Sequence, residues 1–81
     1  MNGQSKEVFL ICTEDNHNKF YDMYDNGDGT FTAHWGRIGT IGQSKEYSMS
    51  KWYDIYFQKE DKGYREVNYS YGKYNRQDDL R

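Results

Sequence analysis

Apolar and polar positions alternate with a period of two through most of the chain, and change once, after residue 48, to the spacing of a helix. Residues 6–13, KEVFLICT, contain no breaker and place Val8, Leu10 and Cys12 on one face and Phe9 and Ile11 on the other. Apolar side chains on both faces predict a strand covered, at least in part, on both sides. After a turn at 14–16, residues 17–25 form a second predicted strand, in which Phe20, Asp22 and Tyr24 alternate with Tyr21 and Met23. Asn26-Gly27-Asp28-Gly29 supplies the positive φ that a hairpin turn requires. Residues 30–35 return as the partner strand, with Phe31, Ala33 and Trp35 opposed to Thr30, Thr32 and His34.

A loop with glycine at every third position, Gly36, Gly39 and Gly42, leads to a short fourth strand at 44–48. Ser48 or Ser50 then caps a helix that runs to about residue 61. Trp52, Ile55, Tyr56 and Lys59 form its one stripe, with Asp54, Gln58 and Asp61 turned away. Gly63 stands where a helix-ending C′ residue belongs, and residues 64–69 read as a last strand. The expected fold is α+β, an antiparallel four- to five-stranded sheet with one helix packed on one face. Residues 1–5 are expected to be a disordered N-terminus, 6–68 the domain and 69–81 a polar C-terminal tail.

Composition narrows the possibilities. A chain of 81 residues holds one domain. At that size only ~60% of the unfolded surface is buried, so the core is thin. Aromatic residues make up 19% of the chain, and large rings can either extend such a core or serve as stacking surfaces outside it. Eleven basic against 13 acidic side chains give a net charge of −2, which argues against binding nucleic acid by bulk electrostatics but leaves room for a local basic patch. The single cysteine, Cys12, has no partner for a disulfide or a thiolate metal site and is expected to pack as a small hydrophobe. MNGQSKE opens without a hydrophobic signal region and no apolar run approaches membrane-spanning length, so a soluble, cytoplasmic protein is expected.

Nothing in the pattern builds an enzyme. His17 and His34 fall on strands with no Ser or Cys nucleophile placed beside them, and the carboxylates are scattered as solvated charges are. Asp25 to Gly29 superficially resembles a calcium loop. Aligned to that template it puts Tyr24 and Trp35 at the first and last ligand positions, where carboxylates are required. No catalytic residue, metal or cofactor is expected. Gly36-Arg37-Ile38-Gly39 has the form of a GXXG loop, whose glycines let a phosphate or sugar approach the main chain and whose exposed N–H groups can bind an anion. Taken alone it reads more readily as a tight turn. Trp35 is in phase with Phe31 and Ala33, as a core residue would be. At the end of a strand, followed by Gly and Arg, it can instead project at the rim, where its face would stack on a sugar or base and Arg37 would pair with phosphate.

Asn18-Lys19-Phe20-Tyr21, Trp35-Gly36-Arg37-Ile38-Gly39-Thr40 with Gly42-Gln43, and Lys62-Gly63-Tyr64-Arg65-Glu66-Val67 resemble, in that order, the motifs of the WGR domain. That module is known from poly(ADP-ribose) polymerases and from small bacterial proteins. In the family, the Trp and Arg contact the end of a DNA strand and an Asn-Lys segment lies near the same phosphates. The resemblance therefore implies a nucleic-acid-binding site at Trp35, Gly36, Arg37, Asn18 and Lys19, to which proximity to the glycine loop adds Gln43 and Lys45. It implies a non-catalytic module for DNA ends or nicks, since 81 residues leave no room for a transferase fold. The alternative is a protein-interaction module, an adaptor or inhibitor of a larger enzyme encoded by a phage or other mobile element. Phe20, Tyr21 and Trp52 are expected in the core, and Lys59, Lys62 and Arg65 on the solvated surface.

Overall fold

A computed structural model describes residues 6–72. The expected disorder of residues 1–5 and the tail beyond 72 lie outside the described residues. Five strands, β1 (Glu7–Cys12), β2 (Lys19–Asp25), β3 (Thr30–Arg37), β4 (Gln43–Ser48) and β5 (Arg65–Val67), form one sheet in the order β4-β3-β2-β1-β5. Every neighbouring pair is antiparallel. The helix α1 (Trp52–Asp61) crosses between β4 and β5 and so carries the chain from one edge of the sheet to the other. This is the α+β architecture expected from the alternation.

Register decides which side chains meet. Leu10 lies opposite Tyr21, Tyr21 opposite Trp35, Met23 opposite Ala33 and Phe31 opposite Tyr47. These residues share the face on which α1 packs. Leu10, Tyr21, Met23, Phe31, Ala33 and Trp52 form the core there, with Val8, Trp35, Tyr47, Ile55, Tyr56 and Tyr64 packed around it. Trp52 is the helix's anchor: it is 3% exposed and meets Phe31 edge-to-face at 5.0 Å. An aromatic pair of this geometry is worth about 0.5–1.5 kcal/mol beyond the area it buries.

The opposite face is covered too, as the two-sided apolarity of β1 predicts. Ile11, Phe20, Asp22 and His34 are all buried there. The cover comes from the chain beyond β5 and from the glycine loop. The Ser70 hydroxyl donates to Asp22 Oδ2, Gly72 lies against the Phe20 ring, and the His34 Nε2–H donates to the Ile41 carbonyl.

Local chemistry sets the boundaries. Gly27 and Gly29 have φ of +83° and +91°, the conformation the β2–β3 hairpin needs. The Asp25 and Asp28 carboxylates accept from the amides of Gly27 and Thr30, closing the turn. Ser48 caps a 3-10 turn at Met49–Lys51, and the α-helix begins only at Trp52. Between β1 and β2 the structure corrects the sequence reading: Asp15, Asn16 and Asn18 all take positive φ, so β2 starts at Lys19 and His17 is not on a strand. Asp and Asn tolerate this left-handed region better than other side-chain-bearing residues.

Candidate nucleic-acid interface

The site lies where β2 begins and β3 ends, at one end of the helix-covered face. Antiparallel pairing sets Lys19 opposite Arg37 and Tyr21 opposite Trp35, and β4 sets Gln43 opposite Trp35. With a side-chain period of two, Lys19, Tyr21, Trp35, Arg37 and Gln43 share that face. Trp35 is half-buried: it packs against the core cluster and stacks on Tyr21 with centroids 5.8 Å apart and planes 19° apart. It is thus in part a core residue, as its phase with Phe31 and Ala33 suggests, and remains partly exposed. Arg37 and Lys19 are exposed.

Three of the loop's amides are already engaged. Ile38 N–H donates to Asn18 O at 2.8 Å, Gly39 N–H to Tyr71 O at 3.1 Å and Thr40 N–H to Arg37 O at 3.0 Å. The expectation that the glycine loop offers a row of free amides to a phosphate is therefore corrected, because these N–H groups hold the loop to β2 and to the segment after β5. Gly36 and Gly42 instead permit a close crossing. A Cβ on Gly42 would stand 2.2 Å from the Trp35 carbonyl oxygen, and one on Gly36 would stand 2.8 Å from Gly42 Cα. At Gly36 and Gly42 glycine is required by this close approach of the loop to the end of β3.

The sequence reading missed part of the cluster. Lys59 is not a solvated surface lysine but a half-buried one, with Nζ 4.5 Å from the Tyr21 ring centroid and 5.7 Å from that of Tyr64. Burial, and then the neighbouring charges of Lys62 and Lys19, lower its pKa from the ordinary lysine value. A cavity of about 220 Å³ opens here, lined by Cys12, His17, Lys19, Lys59, Lys62 and Tyr64. Its signal was in the sequence, because the helical stripe that buries Trp52 and Ile55 also carries Lys59 inward. That Lys62 and His17 join it depends on where the helix ends and the β1–β2 turn falls.

Asn18 is exposed at the mouth of the cluster, its carbonyl tied to Ile38. Lys45 stands apart, opposite Ala33 on β4, with Nζ 5.2 Å from the Tyr47 ring centroid. Among the described residues no group of three or more His, Cys, Asp or Glu side chains could hold a metal ion, and no helix is long and apolar enough to cross a membrane.

Comparison with known proteins bears on this geometry. No solved structure matches the chain. An uncharacterised protein, 101L, of Invertebrate iridescent virus 6 is 32% identical over 59 residues, 73% of this chain. The chain spans about a quarter of that relative's length. The family model of the WGR domain matches residues 7–71, nearly the whole described fold including Ser70, which bonds Asp22. WGR is a non-catalytic domain family known for nucleic-acid binding in poly(ADP-ribose) polymerases. With these motifs set in a five-stranded antiparallel sheet under a single helix, the chain belongs to the WGR domain family.

Proposed function

We propose that the chain is a non-catalytic module that binds DNA ends or nicks. Trp35, supported from behind by Tyr21, stacks on the terminal sugar or base, and Arg37, Lys19 and the lysines beside them take the phosphates. The observation that carries this reading is the convergence of Lys19, Lys59 and Lys62 around one cavity beside Trp35 and Arg37, in a chain whose net charge is −2. Like charges brought this close repel, and an anionic ligand relieves the repulsion. An Arg fork beside a supported indole suits a phosphate next to an exposed sugar or base face. Asn18 lies at the edge of this contact and Gln43 beside Trp35 on the edge strand. Lys45 extends it only if its side chain leaves Tyr47.

The patch is small and the rest of the surface mixed, so the affinity at physiological salt falls near the non-specific range, ~10⁻⁴–10⁻⁶ M. Fluorescence anisotropy with labelled duplexes, blunt, nicked and 5′-phosphorylated, at two salt concentrations tests the reading. Binding that prefers ends, weakens with salt and is lost in Arg37→Ala is expected. No binding at low salt overturns it.

A second reading, a protein-interaction module, rests on a different surface. Tyr53 and Phe57 on the outer side of α1 are 58% and 54% exposed and stack at 6.2 Å. Exposed aromatic pairs of this kind act as hot spots in protein interfaces. If this surface carries the function, Tyr53→Ser with Phe57→Ser abolishes partner binding while Arg37→Ala leaves it intact.

A further inference from the structure

The segment after β5 bends at Asn68 and Tyr69 and then runs back over the sheet, and three consecutive side chains along it meet different surroundings. Ser70 points inward, where its hydroxyl bonds to the fully buried Asp22 at 2.5 Å. Of the tyrosines one residue either side, Tyr69 is exposed and Tyr71 half-buried. Their rings stack with centroids 5.0 Å apart and planes 21° apart, and the Tyr71 hydroxyl donates to that of Tyr69 at 3.1 Å. Tyr69 is 61% exposed, more than any other large apolar or aromatic side chain described.

The platform is held firmly. A Cβ on Gly72 would lie 2.5 Å from the Phe20 ring, so the chain passes as close to the sheet as a backbone can. The Tyr71 carbonyl accepts from Gly39 N–H, which ties the tyrosines to the loop that follows Trp35-Gly36-Arg37. Arg65, the first residue of β5, acts electrostatically on Tyr71 and supplies a cation near the rings. A stacked aromatic pair with its outer ring exposed, near a guanidinium and hydrogen-bonded to the loop of the DNA-end site, has the make-up of a stacking platform for unpaired bases.

We infer that Tyr69 and Tyr71 form a second nucleic-acid contact, which stacks unpaired nucleotides of a single-stranded overhang while the Trp35 site holds the duplex end. The inference rests on the DNA-end reading, and the two fail separately. The test is anisotropy with one duplex carrying a blunt end, a four-thymine overhang of either polarity, or an overhang of four abasic residues with the same phosphates, together with a single-stranded thymine oligomer. One of the thymine overhangs is expected to bind at least about fivefold tighter than both the blunt end and its abasic counterpart. Tyr69→Ala removes that advantage, leaves blunt-end binding and the melting temperature unchanged, and Tyr69→Phe keeps it. Equal binding of blunt, thymine and abasic ends overturns the platform and leaves the Trp35 site standing. If blunt and nicked duplexes do not bind but the oligomer does, and only with Tyr69 present, the platform survives and the end site falls. Binding of neither overturns both.

Discussion

Gly42 is the position where one methyl group should cost most. It has φ of +73°, and an added Cβ would stand 2.2 Å from the Trp35 carbonyl oxygen, 2.9 Å from its carbonyl carbon and 3.1 Å from the Phe20 ring. Two of the three obstacles are main chain inside the β3 ladder and cannot rotate away. Gly39, three residues earlier, is a built-in control: its φ is +88°, but nothing lies within 4 Å of its Cβ position. Gly39→Ala pays only for the left-handed backbone, about 1–2 kcal/mol, partly offset by ~0.4–1 kcal/mol of unfolded-state entropy. Gly42→Ala carries the same strain and offset plus overpacking of about 1–3 kcal/mol, for a total of roughly 1–5 kcal/mol that exceeds the Gly39→Ala loss by the overpacking alone. A domain of this length has about 4–12 kcal/mol of stability, so the second substitution removes a large part of it. At roughly 4–8 °C per kcal/mol, Gly39→Ala should melt within several degrees of the parent and Gly42→Ala several degrees or more below Gly39→Ala. Urea unfolding followed by far-ultraviolet circular dichroism gives the free energies, and tryptophan fluorescence of the native state reads the displacement of Trp35 from Tyr21. If the two variants lose the same stability to within about 0.5 kcal/mol, the crossing of Gly42 over Trp35 does not have the geometry described.

Trp52→Ala removes the helix's anchor and should cost about 3–5 kcal/mol, leaving the domain at or beyond its stability limit, whereas Trp52→Phe stays folded; thermal melts distinguish them. Burial raises the Asp22 pKa, against the opposing hydrogen bonds from Ser70 and Tyr24 and the nearby His34. The folded state therefore holds this proton more tightly than the unfolded chain, so the Asp22 contribution falls as pH rises from the ordinary carboxylate value of about 4 through the raised folded pKa. Asp22→Asn abolishes that dependence and puts an amide where Oδ1 has no hydrogen-bond partner, so the variant should gain on the parent in chemical denaturation as pH climbs through this window. Lys59→Gln keeps the fold but removes one cation from the cluster, and should lower the salt slope of DNA binding by about 1. An unchanged slope would place Lys59 outside the contact.

The period-two alternation carried most of the fold. It placed Leu10, Tyr21, Met23, Phe31 and Ala33 on one face, and Phe20, Asp22 and His34 on the other, because a strand can present its side chains in only two directions. The hairpin at Asn26 to Gly29 and the end of the helix at Gly63 were equally local, since both depend on the backbone freedom of glycine. The helical stripe even carried Lys59 inward, although lysine's habit of lying on the surface argued against reading it so. What the stripe could not say is what Lys59 would find there. Lys19 and Tyr21 come from β2 and Lys62 and Tyr64 from the chain just after α1, and only the packing of α1 across the sheet makes them one cluster. The same holds for the glycine loop. Its spacing suggests free amides, but the partners that engage Ile38 and Gly39 are Asn18 and Tyr71, 20 and 32 residues away in sequence. Local sequence determines the direction in which a side chain points and where a chain can turn. Which distant groups meet, and whether a donor is left free, depends on long-range register, and that was decided only when the sheet closed.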